Sequence, residues 1–356
     1  MFMNTNVVNL PHTRPMIAKN NHNGGKLPKK VAILYTEEKR ENFYSDEQFC
    51  TVDGSQQEAK DFDKYFKKMG IKTCFIPGNA SMARKLQKEK PDMAINLVTT
   101  VKGYDYLGAT VPSTLELLEI PYTGASILGF AIGCNKHLIY ELLSSHGINV
   151  PPFQLMTSST TPLNPTLRFP LILKLNEEHS NVEITRKSVV ENETELRRQL
   201  RYLINKYDQD VLVSEFIDGR EFAAFIFQAL NKKVYVIERQ IHLKDNNTNH
   251  EFLDFDLCWG DDSNDPKYLS YAKYHDPLLN EMIKKAYVIT KMASYGKFDI
   301  RMDLNGKYYV IDANANCHFG PPEWMCEMTL TMGKYGVPFT TLLKRLLQNT
   351  MREWGY

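Results

Sequence analysis

The segment 295–314, YGKFDIRMDLNGKYYVIDAN, constrains the fold of this chain more than any other stretch of its sequence. Its dipeptide Asn305-Gly306 is the strongest short-range signal for a β-hairpin, and it predicts a two-residue type I′ turn. Such a turn pairs Asp299 with Asp312 across two antiparallel strands. The sequence therefore predicts a sheet on which two carboxylates lie directly opposite each other.

The opposed carboxylates predict a site for a divalent metal ion. Like charges directly opposite each other destabilise a sheet, and a hard cation with oxygen ligands, such as Mg²⁺, is a natural compensation. An ordinary solvent-facing strand explains Asp303 near the turn, but it explains Asp312 less well, because Asp312 lies within the apolar run YYVIDAN. Asn314 lies on the same face, opposite Lys297. We therefore predict that Asp299, Asp312 and Asn314 bind Mg²⁺ or Mn²⁺.

The first part of the chain after residue 30 predicts a parallel α/β unit. Apolar runs suited to buried strands alternate with amphipathic stretches suited to helices. The predicted strands are 31–35, 71–76 and 93–98, and the predicted helices are 57–69 and 82–90. This order implies parallel strands with covering helices. No GxGxxG motif follows the first strand, which argues against a dinucleotide-dependent dehydrogenase.

Charge and cysteine content exclude some classes of function. The chain has 43 basic and 42 acidic residues and a formal net charge of +1, a balance that argues against a broad nucleic-acid-binding surface. Residues 1–29 contain no Asp or Glu and are predicted to form a flexible basic tail. No apolar run approaches the ~20 residues needed to span a bilayer. The six cysteines form no CxxC pair, which favours a reduced, cytoplasmic compartment.

The second half of the chain predicts mixed α+β structure. The apolar run 169–175 predicts a buried strand, and the runs 211–217 and 220–230 flank Asp218-Gly219, a dipeptide typical of tight turns. These two runs therefore predict a second hairpin. The segment 242–275 is polar and rich in Asn and Asp. A loop of this length predicts a lid or a binding loop unless it is disordered.

Six segments in one order resemble the ATP-grasp ligases, and most closely the D-alanine–D-alanine ligase-like branch. The segments are the hairpin described above together with LELLEIPYTG, NKHLIYELLSSHGINVPPF, FPLILK, VSEFIDGREF and FLDFDLCW. The resemblance covers residues 93–347 and implies an ATP-grasp fold that combines α/β and α+β domains. A parallel-sheet N-terminal domain at 30–125 would precede a central lobe at 126–210 and a carboxyl-terminal lobe at 211–356. The two lobes would enclose ATP between their sheets.

The resemblance also implies a reaction. ATP phosphorylates a carboxylate to an acyl phosphate, and an amine then attacks it to give an amide, ADP and phosphate. The implied substrates are an amino acid, a peptide or a related small metabolite, and a homodimer is an expected assembly. The alternative that stays open is a catalytically degenerate ATP-grasp protein that binds nucleotide as a regulator or scaffold. Neither interpretation involves a nucleic acid or a membrane.

The resemblance assigns roles to individual residues around ATP. A lysine that closes an apolar run, as Lys174 does, must reach solvent or meet an anion, and ATP would supply that anion. The implied ATP-binding residues are Lys136 and Lys174 for the phosphates, Glu215, Phe216 and Ile217 for the adenine edge, Glu221 for the ribose, and Ile172 and Ile311 for the faces of the adenine ring.

The chain departs from the family around the phosphates. Lys297 stands where the family has an arginine, and it is predicted to stabilise charge in the transition state, although without a bidentate fork. Ser180 keeps a family serine position and is predicted to be catalytic. The glycine-rich loop around it is replaced by NEEHSNVEI at 176–184. There His179 and Glu183 occupy positions where small residues normally let the backbone approach phosphate.

Two further departures concern the lid and the acceptor pocket. Cys258 stands where the family has a phosphate-contacting lysine, and a neutral thiol cannot replace that charge. Lys267 and Lys273, further along the same segment, are the candidates to replace it. The family's NxxPG ending is also lost, so His318 and Glu323 are predicted to shape an altered pocket for the second substrate. In the N-terminal domain, TEEKREN at 36–42 replaces the family's glycine-serine loop, which normally helps to hold the first amino acid. This replacement argues against simple D-alanine chemistry.

Overall fold

The computed structural model describes residues 26–242, 250–261, 263 and 265–356. The predicted basic tail at 1–29 lies outside these residues except for its last four positions. Within the described ranges, no helix combines the length and the apolar character that a membrane crossing requires.

The strands of the described residues form one parallel and two antiparallel sheets. In chain order the strands are β1 (Lys30–Tyr35), β2 (Lys72–Pro77), β3 (Met93–Asn96), β4 (Tyr122–Thr123), β5 (Phe153–Met156), β6 (Leu171–Leu175), β7 (Val189–Val190), β8 (Val211–Glu215), β9 (Arg220–Phe227), β10 (Lys233–Ile241), β11 (Leu269–Tyr274), β12 (Tyr295–Met302) and β13 (Tyr308–Asn314).

The helices cover the sheets and connect them. They are α1 (Asp46–Cys50), α2 (Ser55–Asp61), α3 (Asp63–Lys68), α4 (Met82–Glu89), α5 (Thr110–Leu117), α6 (Ile127–Gly133), α7 (Lys136–Ser145), α8 (Glu193–Tyr207), α9 (Phe255–Trp259), α10 (Pro277–Ile289), α11 (Glu327–Lys334) and α12 (Phe339–Glu353). The side chain of Asn192 caps the start of α8 by accepting from the Glu195 N–H at 3.0 Å, as expected for Asn at this position.

The N-terminal sheet has the strand order β2-β1-β3-β4, and all neighbouring strands are parallel. The predicted β-α-β-α-β order is therefore confirmed. The predicted helix at 57–69 is instead two helices, α2 and α3, which meet at Phe62. The Phe62 ring is fully buried and lies 5.7 Å from the ring of Phe339 on α12. The carboxyl-terminal helix thereby joins the N-terminal domain to the rest of the core.

Each antiparallel sheet buries at least one face against helices. In the central sheet, with the order β5-β8-β6-β7, Leu173 and Val213 pack with Leu200 of α8. The carboxyl-terminal sheet has the order β11-β10-β9-β12-β13, and its Phe222 and Phe298 pack with α7 and α10. Because side chains alternate along a strand, the residues between these buried ones lie on the opposite face. In the carboxyl-terminal sheet that face is also partly covered, because Phe225 and Ile237 pack in one core with residues of α11 and α12.

Asp218-Gly219 connects two different sheets. β8 hydrogen-bonds to β5 and β6 in the central sheet, whereas β9 pairs with β10 and β12 in the carboxyl-terminal sheet. The predicted hairpin at this dipeptide is therefore wrong, because a local turn signal does not show which sheet each flanking strand joins. The change of sheet follows Glu215. β8 thus belongs to the central sheet, although the predicted boundary at 210/211 placed it in the carboxyl-terminal lobe.

Gly219→Ala is expected to destabilise this connection. Gly219 has a φ of +134°, and a Cβ there would overlap the carbonyl oxygen of Met302. Backbone strain of this kind costs about 1–3 kcal/mol, so chemical denaturation should show at least that loss in the free energy of unfolding. Gly333→Ala on α11 is the matched control, because nothing lies within 4 Å of its Cβ and alanine favours a helix. Equal unfolding free energies for Gly219→Ala and the wild type would contradict the predicted overlap.

The hairpin at 295–314 forms, but its turn differs from the predicted one. The Gly306 N–H donates to the Asp303 carbonyl, and the Asp303 N–H donates to the Lys307 carbonyl, so the loop consists of residues 304–306. Gly306 has a φ of +82°, which suits the left-handed last position of a three-residue loop. The prediction of a two-residue type I′ turn is therefore wrong by one residue.

A β-bulge restores the predicted register beyond the turn. The pairing shifts after Asp299, which leaves Ile311 as the extra residue on β13. As a result Asp299 faces Asp312, and Lys297 faces Asn314. Both predicted pairs are confirmed, although the turn that was expected to produce them is different.

The polar segment 242–275 is not one continuous loop. Its described residues contain α9 and β11, and β11 pairs with β10 at the edge of the carboxyl-terminal sheet. The prediction of a long loop is therefore wrong for β11, where pairing with a neighbouring strand overrides the polar composition. Residues 243–249 of the predicted lid lie outside the described part of the chain.

Candidate nucleotide and metal site

Strand alternation builds one wall of a cleft between the central and carboxyl-terminal sheets. On β12, Phe298 and Ile300 pack in the core with α10, whereas Lys297, Asp299 and Arg301 line the cleft. The other wall includes residues of β6 in the central sheet. The same alternation that buries one face of the hairpin therefore gathers its charged side chains on the face that lines the cleft.

All eight residues that the resemblance assigned to ATP line one cavity in this cleft. They are Lys136, Ile172, Lys174, Glu215, Phe216, Ile217, Glu221 and Ile311. Ile172 comes from β6 and Ile311 comes from β13, so the two apolar positions belong to different sheets. Their roles toward a nucleotide remain a prediction.

Lys136 and Lys174 bring two ammonium groups into this cavity. Lys136 is the first residue of α7 and is 6% exposed, and its ammonium donates to the Glu178 carbonyl. The Lys174 ammonium donates to the Ile311 carbonyl at 3.1 Å. Burial lowers the pKa of Lys174, because a charged ammonium is disfavoured away from water. An anion bound by both groups would form charge-assisted hydrogen bonds, which are stronger than neutral ones.

The segment between β8 and β9 already uses some of its backbone groups. The Phe216 N–H donates to the Pro170 carbonyl at 2.9 Å, and Arg301 donates to the Ile217 carbonyl at 2.5 Å. The Arg301 guanidinium also lies 4.7 Å from the centre of the Phe216 ring. Adenine would therefore have to bond other backbone groups of this segment, such as the Glu215 carbonyl.

Glu221 is buried between two arginines that the sequence analysis missed. Its Oε1 accepts from Arg239 at 2.8 Å, and its Oε2 accepts from Arg301 at 2.8 Å. Burial acts to raise the pKa of Glu221, but the two guanidinium groups outweigh it, and the pKa lies below its ordinary value. Oε2 also accepts from the Leu253 N–H at 3.4 Å, whereas Oε1 keeps a second lone pair for a further donor. The predicted contact with ribose hydroxyls is therefore compatible with both ion pairs.

Asp299 is held by cationic and amide groups of the protein. Its Oδ1 accepts from Arg239 at 2.6 Å and lies 3.3 Å from the Lys297 ammonium, and its Oδ2 accepts from Asn314 at 3.1 Å. A divalent cation was predicted to compensate the opposed aspartates. Arg239, from the distant strand β10, supplies some of that positive charge within the protein itself.

Asp312 also lies among positive charges. Burial acts to raise the pKa of Asp312, but nearby charges, foremost Lys136, outweigh it and hold the pKa below its ordinary value. Among the described residues, no group of three or more His, Cys, Asp and Glu side chains could hold a metal ion by itself. Mg²⁺ commonly binds through only one or two carboxylates together with water and substrate phosphates. Asp299 and Asp312, with the amide oxygen of Asn314, fit that requirement.

Glu327, another residue that the sequence analysis missed, completes the charges around Lys297. It is the first residue of α11, accepts from Arg239 at 2.6 Å and lies 3.2 Å from the Lys297 ammonium. Burial acts to raise the pKa of Glu327, but Arg239 and Lys297 lower it to about 2. Burial acts to lower the pKa of Lys297, but Asp299 and Glu327 raise it above its ordinary value. Lys297 is therefore a charged group next to a predicted metal ligand.

The loop after β6 adopts a glycine-type backbone without glycines. Ser180, Asn181 and Glu183 have φ values of +58°, +58° and +61°. Glu183 is anchored to α8, because its carboxylate accepts from the Lys206 ammonium at 2.6 Å. The predicted loss of the glycine-rich loop is therefore a loss of glycine residues and not of the left-handed backbone that they favour.

A second cavity adjoins the first. Lys297, Asp299 and Asp312 line both cavities, and Ser180 and Asn314 line the second. Other residues of the second cavity come from the N-terminal domain and from the segment after β13. The predicted metal ligands thus lie where a nucleotide in the first cavity would meet a molecule in the second.

The residues near the predicted lid bring neutral groups to the second cavity. Burial raises the pKa of the Cys258 thiol to about 12, and the Asn181 amide donates to its sulfur at 3.1 Å. Burial also lowers the pKa of His179 to about 4, so that imidazole is neutral at pH 7. Lys267 and Lys273 are exposed and are not among the described residues that line either cavity. The structure therefore does not bring either lysine to the two cavities, and the replacement of the lid lysine stays a prediction.

His318 and Glu323 have different surroundings. His318 lines the second cavity, stacks on Trp324 with ring centres 5.6 Å apart and lies 3.4 Å from Glu58. Glu323 accepts from Tyr65 of the N-terminal domain at 2.8 Å, and it is not among the described residues that line either cavity. The predicted pocket therefore includes His318 but not Glu323, whose carboxylate is held at the domain contact.

Comparison with known proteins agrees with these features. The family model described as D-ala D-ala ligase C-terminus matches residues 142–348. A D-alanine–D-alanine ligase of Halorhodospira halophila is 26% identical over 268 residues, which are 71% of this chain and 81% of that protein. The uncharacterized protein y4sG of Sinorhizobium fredii is 25% identical over 257 residues, which are 69% of this chain and 74% of that protein.

A solved structure has the same fold. The crystal structure of the D-alanine–D-alanine ligase from Bacillus anthracis complexed with ATP matches with a TM-score of 0.67 at 19% identity. The match covers 92% of this chain and 98% of that chain, so the expected ATP-grasp fold is confirmed. Because the family model spans more than half of the sequence, the chain belongs to the D-alanine–D-alanine ligase-like family of ATP-grasp ligases.

Proposed function

We propose that the chain is an ATP- and Mg²⁺-dependent ligase that joins a carboxylate to an amine. One observation carries this proposal: the cavity with the predicted nucleotide residues and the second cavity share a wall of Lys297, Asp299 and Asp312. Group transfer from a nucleotide to a second molecule requires that both be held close together in a fixed orientation. Relatives named D-alanine–D-alanine ligase support the same general class of reaction.

The proposed mechanism divides the work among the residues of the first cavity. Lys136 and Lys174 would hold the phosphates of ATP through their ammonium groups. Asp299, Asp312 and Asn314 would hold Mg²⁺, which when bound neutralises phosphate charge. The arrangement needs no side-chain nucleophile. The rate enhancement would come from the positioning of the reactants and from electrostatic stabilisation of the transition state.

The substrate carboxylate would approach the terminal phosphate from the second cavity. Its oxygen attacks phosphorus and ADP leaves, which forms an acyl phosphate. An amine then attacks the carbonyl carbon, phosphate leaves, and the nitrogen loses a proton as the amide forms. Lys297 would stabilise the negative charge that develops on the transferred phosphoryl group and on the tetrahedral oxygen. Ser180 and His318 would contact the substrates in the second cavity.

Phosphate release tests this proposal. The protein is incubated with ATP, Mg²⁺ and separate pools of amino acids and dipeptides, and phosphate and ADP are measured. At least one pool is expected to raise phosphate release above the rate with ATP alone and to yield an amide detectable by mass spectrometry. Nucleotide binding with no phosphate release in any pool would instead support the regulatory or scaffold alternative.

The regulatory alternative is favoured by Cys258, which stands where the family has a phosphate-contacting lysine. The variant Cys258→Lys tests whether this position can contact the phosphates of ATP. A lysine at this place is expected to tighten ATP binding by about tenfold, because a hydrogen bond to a charged group contributes about 1.5–3 kcal/mol and burial of the new charge offsets part of it. The dissociation constant is measured by calorimetry, with Cys258→Met as a neutral control. A lysine variant that binds ATP no more tightly than the methionine variant would show that this position does not reach the phosphates.

A further inference from the structure

Arg239 connects parts of the site that have separate roles in the proposed function. Its side chain is 2% exposed and bonds carboxylates on three different elements. The guanidinium donates to Glu221 on β9 at 2.8 Å and to Asp299 on β12 at 2.6 Å. It also donates to Glu327 at the start of α11 at 2.6 and 2.7 Å. One buried cation thus joins the predicted ribose-binding acid to a predicted metal ligand.

A small neighbour lets Arg239 reach both acids. Arg239 pairs directly with Glu221 across β10 and β9, whereas Asp299 pairs with Ala223, two residues further along β9. The guanidinium therefore crosses β9 diagonally, and the short side chain of Ala223 leaves room for it. A planar guanidinium offers five N–H donors in a fixed fork, which a lysine ammonium does not.

Arg239 balances the charge of the ion-pair cluster that contains Asp299. The buried cluster balances three cations with three carboxylates: Arg239, Lys297 and Arg301 with Glu221, Asp299 and Glu327. Without Arg239 the cluster would carry one net negative charge. A divalent cation that approaches Asp299 meets the guanidinium on the same carboxylate and is repelled by it, whereas nucleotide phosphates are attracted.

We propose that Arg239 couples the binding of the metal ion to the binding of the nucleotide. Its guanidinium opposes a divalent cation at Asp299 until phosphate charge is present, and it holds Glu221 and Asp299 in one fixed arrangement. Arg239 is a positioning residue, because it acts through these two carboxylates. The inference rests on the proposed function, which takes Asp299 as a metal ligand and Glu221 as a ribose-binding acid.

Arg239→Met is expected to have opposite effects on the two ligands. Without the guanidinium, Mg²⁺ should bind to the protein alone about tenfold more tightly, and a non-hydrolysable ATP analogue without Mg²⁺ should bind about tenfold more weakly. If Arg239 only supported the fold, its replacement would weaken the binding of both Mg²⁺ and the ATP analogue, because both sites would be disordered. The opposite signs separate the two roles.

Calorimetric titrations measure both affinities. Mg²⁺ is titrated alone, and the ATP analogue is titrated with and without Mg²⁺, into the full-length wild type, Arg239→Met and Arg220→Met. Arg220 is the matched control, because it lies on the same sheet but is 46% exposed and pairs with Glu238 at 2.6 Å. The control is expected to match the wild type. Equal shifts in the control and in Arg239→Met would overturn the inference.

Glu327→Gln provides a second variant with the reverse charge change. It removes one carboxylate from the cluster, so Mg²⁺ is expected to bind more weakly and the analogue without Mg²⁺ more tightly. If Arg239→Met does not fold, the result for Glu327→Gln tests the inference. The inference is overturned if the affinities of this variant for Mg²⁺ and for the analogue are unchanged, or if both rise or both fall. A wild type that binds no analogue with Mg²⁺ refutes the proposed function as well. If the wild type binds the analogue with Mg²⁺, but the folded variants show no opposite changes in the affinities for Mg²⁺ and for the analogue, only the coupling is refuted.

Discussion

Asp299→Asn combined with Asp312→Asn is expected to lower Mg²⁺-dependent phosphate release by about 10³-fold or more. A bound metal ion contributes several kcal/mol of charge stabilisation, and each 1.36 kcal/mol changes the rate tenfold. The two aspartates face each other on β12 and β13 and line both cavities. Asparagine keeps the size of each side chain and removes its charge, so the loss would report the metal ion rather than packing.

The rate of phosphate release is measured against Mg²⁺ concentration for the double variant and for Asp303→Asn. Asp303 is a matched control on the same hairpin, because its carboxylate accepts from the N–H groups of Asn305 and Lys307 in the loop and does not line either cavity among the described residues. Circular dichroism checks that the variants fold. Unchanged turnover in the double variant would refute the assignment of Asp299 and Asp312 to the metal site.

Lys174→Met is expected to weaken ATP binding by about 10²-fold, because a hydrogen bond to a charged group contributes about 1.5–3 kcal/mol. The thermal stability of the protein is expected to stay equal or rise. Burial lowers the pKa of Lys174, which means that the fold disfavours the charged ammonium relative to the unfolded chain. Methionine has a similar length and no charge, so it removes that cost together with the phosphate contact.

Calorimetry gives the ATP dissociation constant, and a thermal scan gives the unfolding midpoint. Lys187→Met is the control, since Lys187 is an exposed lysine of the same lobe. This substitution should alter neither the dissociation constant nor the unfolding midpoint. An unchanged dissociation constant in Lys174→Met would remove this lysine from the nucleotide site. A lower midpoint together with weaker binding would indicate that Lys174 supports the fold instead.

The facing aspartates were predictable because strand pairing within a hairpin is local. The Asp299–Asp312 pair was nevertheless predicted correctly only because two differences from the predicted hairpin cancel. The loop has one residue more than a type I′ turn, and the bulge at Ile311 shifts the register back by one. A bulge of this kind has no clear signal in the sequence. Agreement at the site therefore did not require agreement at the turn.

Arg239 and Glu327 show what a local pattern leaves out. An arginine close after the apolar run VYVI, in a segment predicted to be part of a sheet, was a visible signal, because a buried charge requires a partner. Its partners were not predictable, since they lie on β9, β12 and α11, far apart in the chain. Glu327 follows Glu323 by four residues, and it is Glu327 that lines the second cavity, whereas Glu323, the residue predicted for the pocket, is not among the described residues that line it.

The parallel N-terminal sheet, the hairpin with its opposed acids and the family were predictable from the amino-acid order, because apolar periodicity and motifs are properties of residues close together in the chain. Three features became visible only in the folded chain: Asp218-Gly219 joins two sheets, Arg239 pairs with Asp299, and His318 but not Glu323 lines the second cavity among the described residues. These outcomes depend on which distant strands pair and on where buried charges find partners. The packing of the whole chain determines both the strand pairing and the partners of the buried charges, because it sets how far each charge is removed from water.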